Sequence, residues 1–236
     1  MSDYQRLEKL FMRNLELQQP PVAVAFLAAA LPGIPKFEGV QPSGCSFWKM
    51  AAEGRVFSTD AHDHYNCSIG SYTHNIALPE DREKELDDTL QFMSSIGYLG
   101  MDEVPDIQRL PETPAVVVYA PLGRTPVDPD IVLFWGPPGR VMILQEAAIR
   151  AGVPAQFTTL PRPTCMVLPA ALEHGTTAST GCVGNRVYTG LGDSDLYVAV
   201  PGKDVARIAE ETTVVRAANA TLMQYHQDRK RQLARV

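Results

Sequence analysis

Four cysteines and five histidines are the side chains of this 236-residue chain best suited to soft-metal, redox or nucleophilic chemistry, and they are unevenly distributed. One stretch reads Gly44-Cys45-Ser46-Phe47-Trp48, continues through His62-Asp63-His64-Tyr65-Asn66-Cys67-Ser68-Ile69-Gly70, and ends just before His74. A second carries Cys165, His174 and the run Thr180-Gly181-Cys182-Val183-Gly184-Asn185-Arg186. Together the two hold every cysteine and four of the five histidines, a clustering that random scatter would seldom give. The fifth, His226, is expected on the solvent face of the last helix.

Thiolates are soft ligands that suit zinc, copper(I) and iron–sulfur clusters. A zinc ribbon keeps its cysteines in close C-x₂-C pairs and a ferredoxin run packs them similarly, and neither spacing occurs in this chain. Any shared site has to be gathered by the fold. On that reading Cys45, Cys67, Cys165, Cys182 and His64 are the candidate metal ligands, and an iron–sulfur cluster or zinc is the candidate cofactor. Asn66, Asn185 and Arg186 are candidate cofactor-binding groups. Glycine-containing turns after Cys67 and Cys182 would let backbone N–H groups reach sulfur, and the planar Arg186 fork matches a carboxylate or phosphate. A redox or sensing role is the corresponding function, with a small molecule or redox protein as partner.

Two other classes stay open. One or two thiols, their pKa lowered by a nearby histidine, could act as nucleophile in a small-molecule pocket lined by Cys67, Cys182, Asn66, Asn185 and Arg186. Alternatively all four cysteines are small buried hydrophobes, His62 and His64 lie on an exposed polar loop, and Gly184-Asn185-Arg186 is a surface turn. The chain is then a structural or partner-binding subunit without a site, whose long terminal helices pair in a homo-oligomer. Whether it is an enzyme is not decided by its residues. Phosphate-loop, dinucleotide-loop, His-Glu-x-x-His and Gly-x-Ser-x-Gly patterns do not occur, which counts against NTPase, kinase, nicotinamide-dependent, zincin and common hydrolase chemistry.

The net charge of −6 argues against nucleic acid as a partner, since phosphate binding needs a basic footprint. The basic run Arg229-Lys230-Arg231 with Arg235 reads as a solvated helix end. Met1 to Arg6 shows no apolar leader, and the longest apolar stretch, Val22 to Leu31, is too short to span a bilayer as a helix. A cytoplasmic protein with reduced thiols is the expectation.

Alternation of apolar strands with amphipathic helices predicts an α/β fold, a mixed sheet with flanking helices, in one domain over 1–236. Helix is predicted over 3–18 (capped by Ser2 or Asp3), 47–53, 81–96, 140–151 and 203–233, the last as two segments. Strand is predicted over 22–27, 55–58, 115–120, 131–135 and 196–200. A faint internal echo sets halves 1–120 and 121–236 side by side. In each, a cysteine precedes a helical stretch and a glycine, and a second cysteine then leads into a glycine-containing turn. The spacings are 22 positions from Cys45 to Cys67 and 17 from Cys165 to Cys182, so ancient duplication is an alternative rather than a derivation.

The segments Gly44 to Trp48, His64 to Gly70 and Thr180 to Arg186, with the strand end Val200-Pro201-Gly202, resemble an uncharacterised prokaryotic family, domain-of-unknown-function family one hundred and sixty-nine. The resemblance spans the first strand to the last helix. It implies a shared fold and marks the cysteine loops as the family's signature region, without supplying an activity.

Overall fold

The computed structural model describes residues 3–160 and 162–234, so the Ser2 cap lies outside the described residues. Helix α1 (Asp3–Leu15) turns its apolar stripe of Leu7, Phe11 and Leu15 inward and ends before Pro20-Pro21. Strand β1 (Val22–Leu27) follows, and a proline- and glycine-containing loop then delivers α2 (Cys45–Ala52) and the short strand β2 (Phe57–Thr59). Two short helices, α3 (Ala61–His64) and α4 (Ser68–Thr73), and the longer α5 (Glu80–Ser95) lead to β3 (Val116–Pro121). The second half runs β4 (Ile131–Gly136), α6 (Pro138–Arg150), β5 (Ala155–Leu160), α7 (Val167–His174), β6 (Thr176–Ser179), α8 (Val183–Thr189), β7 (Leu196–Pro201) and α9 (Val205–Leu233).

The seven strands form one mixed α/β sheet in the order β2-β3-β1-β4-β7-β6-β5, antiparallel throughout except for the parallel β5–β6 pair. Its central strands are apolar on both faces because helices cover both. On one face Ala23, Val132, Phe134, Val198 and Val200 pack against α1, α6 and α9. On the other, Val24, Tyr119, Leu133, Tyr197 and Ala199 pack against α2 and α7, and Cys45 and Cys165 belong to this second core. The sheet is therefore the floor of the cysteine region.

The order reads alike for three strands on each side of the central β1–β4 junction, and β5, beyond β6, has no counterpart beside β2 among the described residues. Each central strand pairs with β3 or β7, and that strand pairs with β2, the strand before Cys67, or β6, the strand before Cys182. Both β3 and β7 end in proline and run into a short 3-10 turn, at 122–124 and 202–204.

At the second of these turns the chain comes so close to the β4 entry that a side chain cannot fit. A Cβ on Gly202 would stand 1.7 Å from the Pro129 carbonyl oxygen, while the Gly202 N–H donates to Asp130 O at 2.7 Å. Gly202→Ala is expected to cost about 3 kcal/mol or more, since backbone rather than a flexible side chain would have to move. Urea unfolding monitored by circular dichroism measures it.

Helix α9 is one continuous 29-residue helix rather than two segments, because no glycine or proline interrupts Val205 to Leu233. Strands β5 and β6 are additions to the sequence reading. Their threonine-rich runs look polar, yet all four residues of β6 are buried. Among the described residues no helix is long and apolar enough to cross a membrane.

Candidate functional site

Each cysteine stands where a helix begins. Cys45 is the first residue of α2, Cys67 is the N-cap of α4, Cys182 is the N-cap of α8, and Cys165 sits in the 3-10 turn 164–166 that runs into α7. All four thiols are free. Cys45 and Cys165 are buried, and Cys67 and Cys182 are half-buried at the edge of the same region.

Contacts tie the four loops together. The Cys165 thiol donates to Ile69 O at 3.9 Å, two residues beyond Cys67. The Cys182 N–H donates to Thr164 Oγ1 at 2.5 Å, next to Cys165. Asn185, in the first turn of α8, lies against the Cys45 sulfur. The electrostatics agree. Burial pushes the Cys45 thiol up to about 12, negative charge at Cys67 and then at Cys182 pushes the same way, and the Asn185 amide opposes them. Cys165 is also raised well above the ordinary thiol range, first by burial and then by charge at Cys45 and Cys67. Tyr119, on the sheet floor, is raised by burial and then by Cys45, Cys67 and Cys165. Residues from Cys45 to Cys182 thus share one electrostatic neighbourhood. With no metal bound, Cys45 and Cys165 are uncharged thiols at neutral pH, unsuited to nucleophilic attack.

The surrounding shell is polar and incompletely paired. Among the described residues seven buried side-chain polar atoms have no hydrogen-bond partner, and five belong to this region: Trp48 Nε1, His64 Nδ1, His74 Nε2, Tyr119 OH and Asn185 Oδ1. Each such atom costs roughly 1–3 kcal/mol when left unsatisfied, so their concentration at one place calls for a polar occupant.

His64 is buried, not on an exposed loop, whereas His62 is exposed. Thr59 Oγ1 donates to Val117 O and accepts from His64 Nε2 at 2.9 Å, which leaves the Nδ1 lone pair free. Nδ1 faces Gly44, 3.7 Å from where a Cβ on that residue would be. His74 Nδ1 donates to Gly70 O at 2.8 Å, so its free nitrogen is Nε2, and the two rings lie 5.3 Å apart. Burial, and secondarily the His74 charge, lowers His64 to about 3; burial lowers His74 to about 4. His74 is the site residue that sequence reasoning left without a role. Its spacing of seven from Cys67 carries no motif, and the helical turn of α4 is what folds it back.

Asn66 is half-buried in the turn between α3 and α4. Asn185 is buried, its Nδ2 donating to Tyr197 OH at 3.4 Å. Arg186 turns its fork toward its own loop, donating to the carbonyls of Gly181, Gly192 and Thr180, with Asp193 at 3.6 Å. Its evident work is to latch the loop that carries Cys182. His174 bonds Gln108 away from the thiols, and His226 is exposed on α9.

Among the described residues no three His, Cys, Asp or Glu side chains are grouped tightly enough to hold a single metal ion. Tetrahedral zinc with Zn–S bonds of about 2.3 Å needs sulfur atoms roughly 3.8 Å apart. Two neighbouring surface cavities, of about 310 and 100 Å³, share Gln19, Trp135 and Asp195, and neither is lined by a cysteine.

A family model described as "uncharacterised ArCR", domain-of-unknown-function family 169, matches residues 10–211, which take in every strand and all four cysteines. The chain belongs to this family. No curated protein and no solved structure matches this family member. Its matched region ends within α9, so the last turns of that helix lie outside it.

Proposed function

We propose that this family member holds a thiolate-ligated cofactor, in the first place an iron–sulfur cluster, between Cys45, Cys67, Cys165 and Cys182, and that it works as a redox or sensing protein. The observation that carries the proposal is the shared neighbourhood of four thiols drawn from four separate loops. Residues this far apart in sequence meet only because the fold brings them together on one face of the sheet.

The surrounding chemistry fits such a group. A cluster spreads its thiolates over several iron atoms and so accepts wider sulfur spacing than one zinc ion does. Asn185 offers an amide to the Cys45 sulfur, and hydrogen bonds of that kind tune a cluster's potential. Gly70 leaves room for the Cys67 sulfur, since a Cβ there would approach it to 2.7 Å. Half-buried Cys67 and Cys182 form the edge nearest solvent, where an electron or a small oxidant would reach the site. When bound, the cluster would supply one-electron chemistry. The protein's part is to exclude water from Cys45 and Cys165, release their protons on loading, and fix the Cys182 loop through Arg186.

The mirrored strand order supports a further reading, that halves 1–120 and 121–236 are related by a pseudo-twofold axis. Each half would then contribute one cysteine at a sheet-packed helix and one at a short helix, and the cofactor would lie near the axis.

Iron, zinc and acid-labile sulfide measured on anaerobically purified protein test the proposal. Iron and sulfide in comparable amounts, with broad visible absorbance, are expected. Stoichiometric zinc without sulfide, or a metal-free protein that takes up no iron and sulfide on reconstitution, overturns it.

A further inference from the structure

Helix α9 extends well past the body of the protein. Its first half is held by buried Val205, Ile208, Ala209, Thr212 and Val215 against α1 and α6, whereas 220–233 is exposed apart from half-buried Asp228. Fourteen residues of helix unsupported in water are marginal by themselves. This segment also carries large apolar side chains: Leu222 is 53% exposed and Tyr225 56%. With Val214 and Ala218 they recur at helical spacing, forming a stripe that begins on the packed half and continues along the arm. Exposed Met142 and Ile149 of α6 lie on the helix face whose Arg150 and Glu146 bond to Glu211 and Asn219 of α9, so the stripe continues across that seam.

One charge pair on α9 fits a twofold contact. Glu211 lies on the packed half, where it also bonds Arg150, and Arg229 lies on the arm. Each is nine positions from Ala220, and the 18 positions between them make five full helical turns, so the two share a face. An antiparallel pair of α9 helices crossing at Ala220 therefore sets Arg229 against Glu211 of the partner subunit. The same register sets Leu222 beside Ala218 of the partner subunit, with small residues at the crossing where the backbones must approach. A charge pattern that complements itself under a twofold axis is what an isologous contact requires.

We infer that the partner for this surface is a second copy of the chain, and that two copies pair through antiparallel α9 helices, each arm lying along the α6–α9 seam of the other. The pairing leaves the cysteine face, on the opposite side of the sheet, open in both copies. It does not depend on the cofactor assignment.

Sedimentation equilibrium of the full chain over a micromolar concentration range tests the inference. A dimer is expected, and Leu222→Asp combined with Tyr225→Asp should leave only folded monomer, with the concentration dependence of the thermal midpoint lost. Arg229→Glu should weaken the dimer about 10-fold, because the twofold axis breaks two pairs at once. A monomer throughout that range, or a dimer indifferent to the α9 substitutions, overturns the inference.

Discussion

Replacing any one of Cys45, Cys67, Cys165 or Cys182 by alanine is expected to lower cofactor loading by at least about 10-fold, with all four variants affected alike. A shared site makes this demand because each sulfur is one of a set, whatever its distance in sequence. Loss of fold does not mimic it. Truncating a buried thiol to a methyl group costs only about 1 kcal/mol, a small part of the roughly 5–15 kcal/mol that holds a domain folded. Loading and thermal midpoint should therefore separate. Gly70→Ala supplies a graded companion: its Cβ would crowd the Cys67 sulfur, so loading should fall while all four thiols remain. Iron and sulfide per chain, read beside the melting curve, check both. Full loading in any cysteine variant would remove that residue from the ligand set, and full loading in two would end the shared-site account.

The second large effect is acid sensitivity of the metal-free protein. His64 titrates near 3 and His74 near 4 in the folded chain, against about 6.5 when unfolded. Burial is the main cause for both; the His74 charge adds to the lowering of His64, and Asp60 opposes it. The folded state keeps both rings neutral while the unfolded chain takes up two protons. Stability is therefore complete above about pH 6.5 and falls as pH drops toward 4. Each histidine contributes a slope of about 1.4 kcal/mol per pH unit, so the pair together gives roughly 3. Two pH units at that slope approach the whole stability of an ordinary domain. Urea midpoints measured from pH 7 to pH 4.5 should fall steeply. A flat profile over that range would mean that at least one ring is solvated or charged in the folded protein.

Much of this architecture is legible in the residues. Apolar runs such as Val22 to Leu27 and Ile131 to Trp135 become central strands because helices cover both of their faces, so hydropathy alone marks them. Strands β5 and β6 escape detection for the opposite reason. Thr176, Thr177 and Ser179 satisfy their polarity inside the protein, and no hydropathy pattern records that. The clustering of cysteines in two stretches points to a site, but their approach to one another is a property of the strand order. Crossing from β1 through β4 to β7 sets α2 beside α8, a placement that no local spacing encodes. The side chain of Arg186 is equally illegible from sequence. A guanidinium after a glycine turn suits an anion as well as it suits backbone carbonyls, and only the path of residues 180–195 makes it a latch.

Iron X-ray absorption on the anaerobically loaded protein tests the central claim most directly, because it counts the neighbours of the metal itself. The account expects an iron shell made of sulfur alone, with a second iron at close range, and loss of that signature in the Cys45→Ala and Cys182→Ala variants alike. Iron surrounded by nitrogen and oxygen with no neighbouring iron, or a sulfur shell that survives both substitutions, would contradict it.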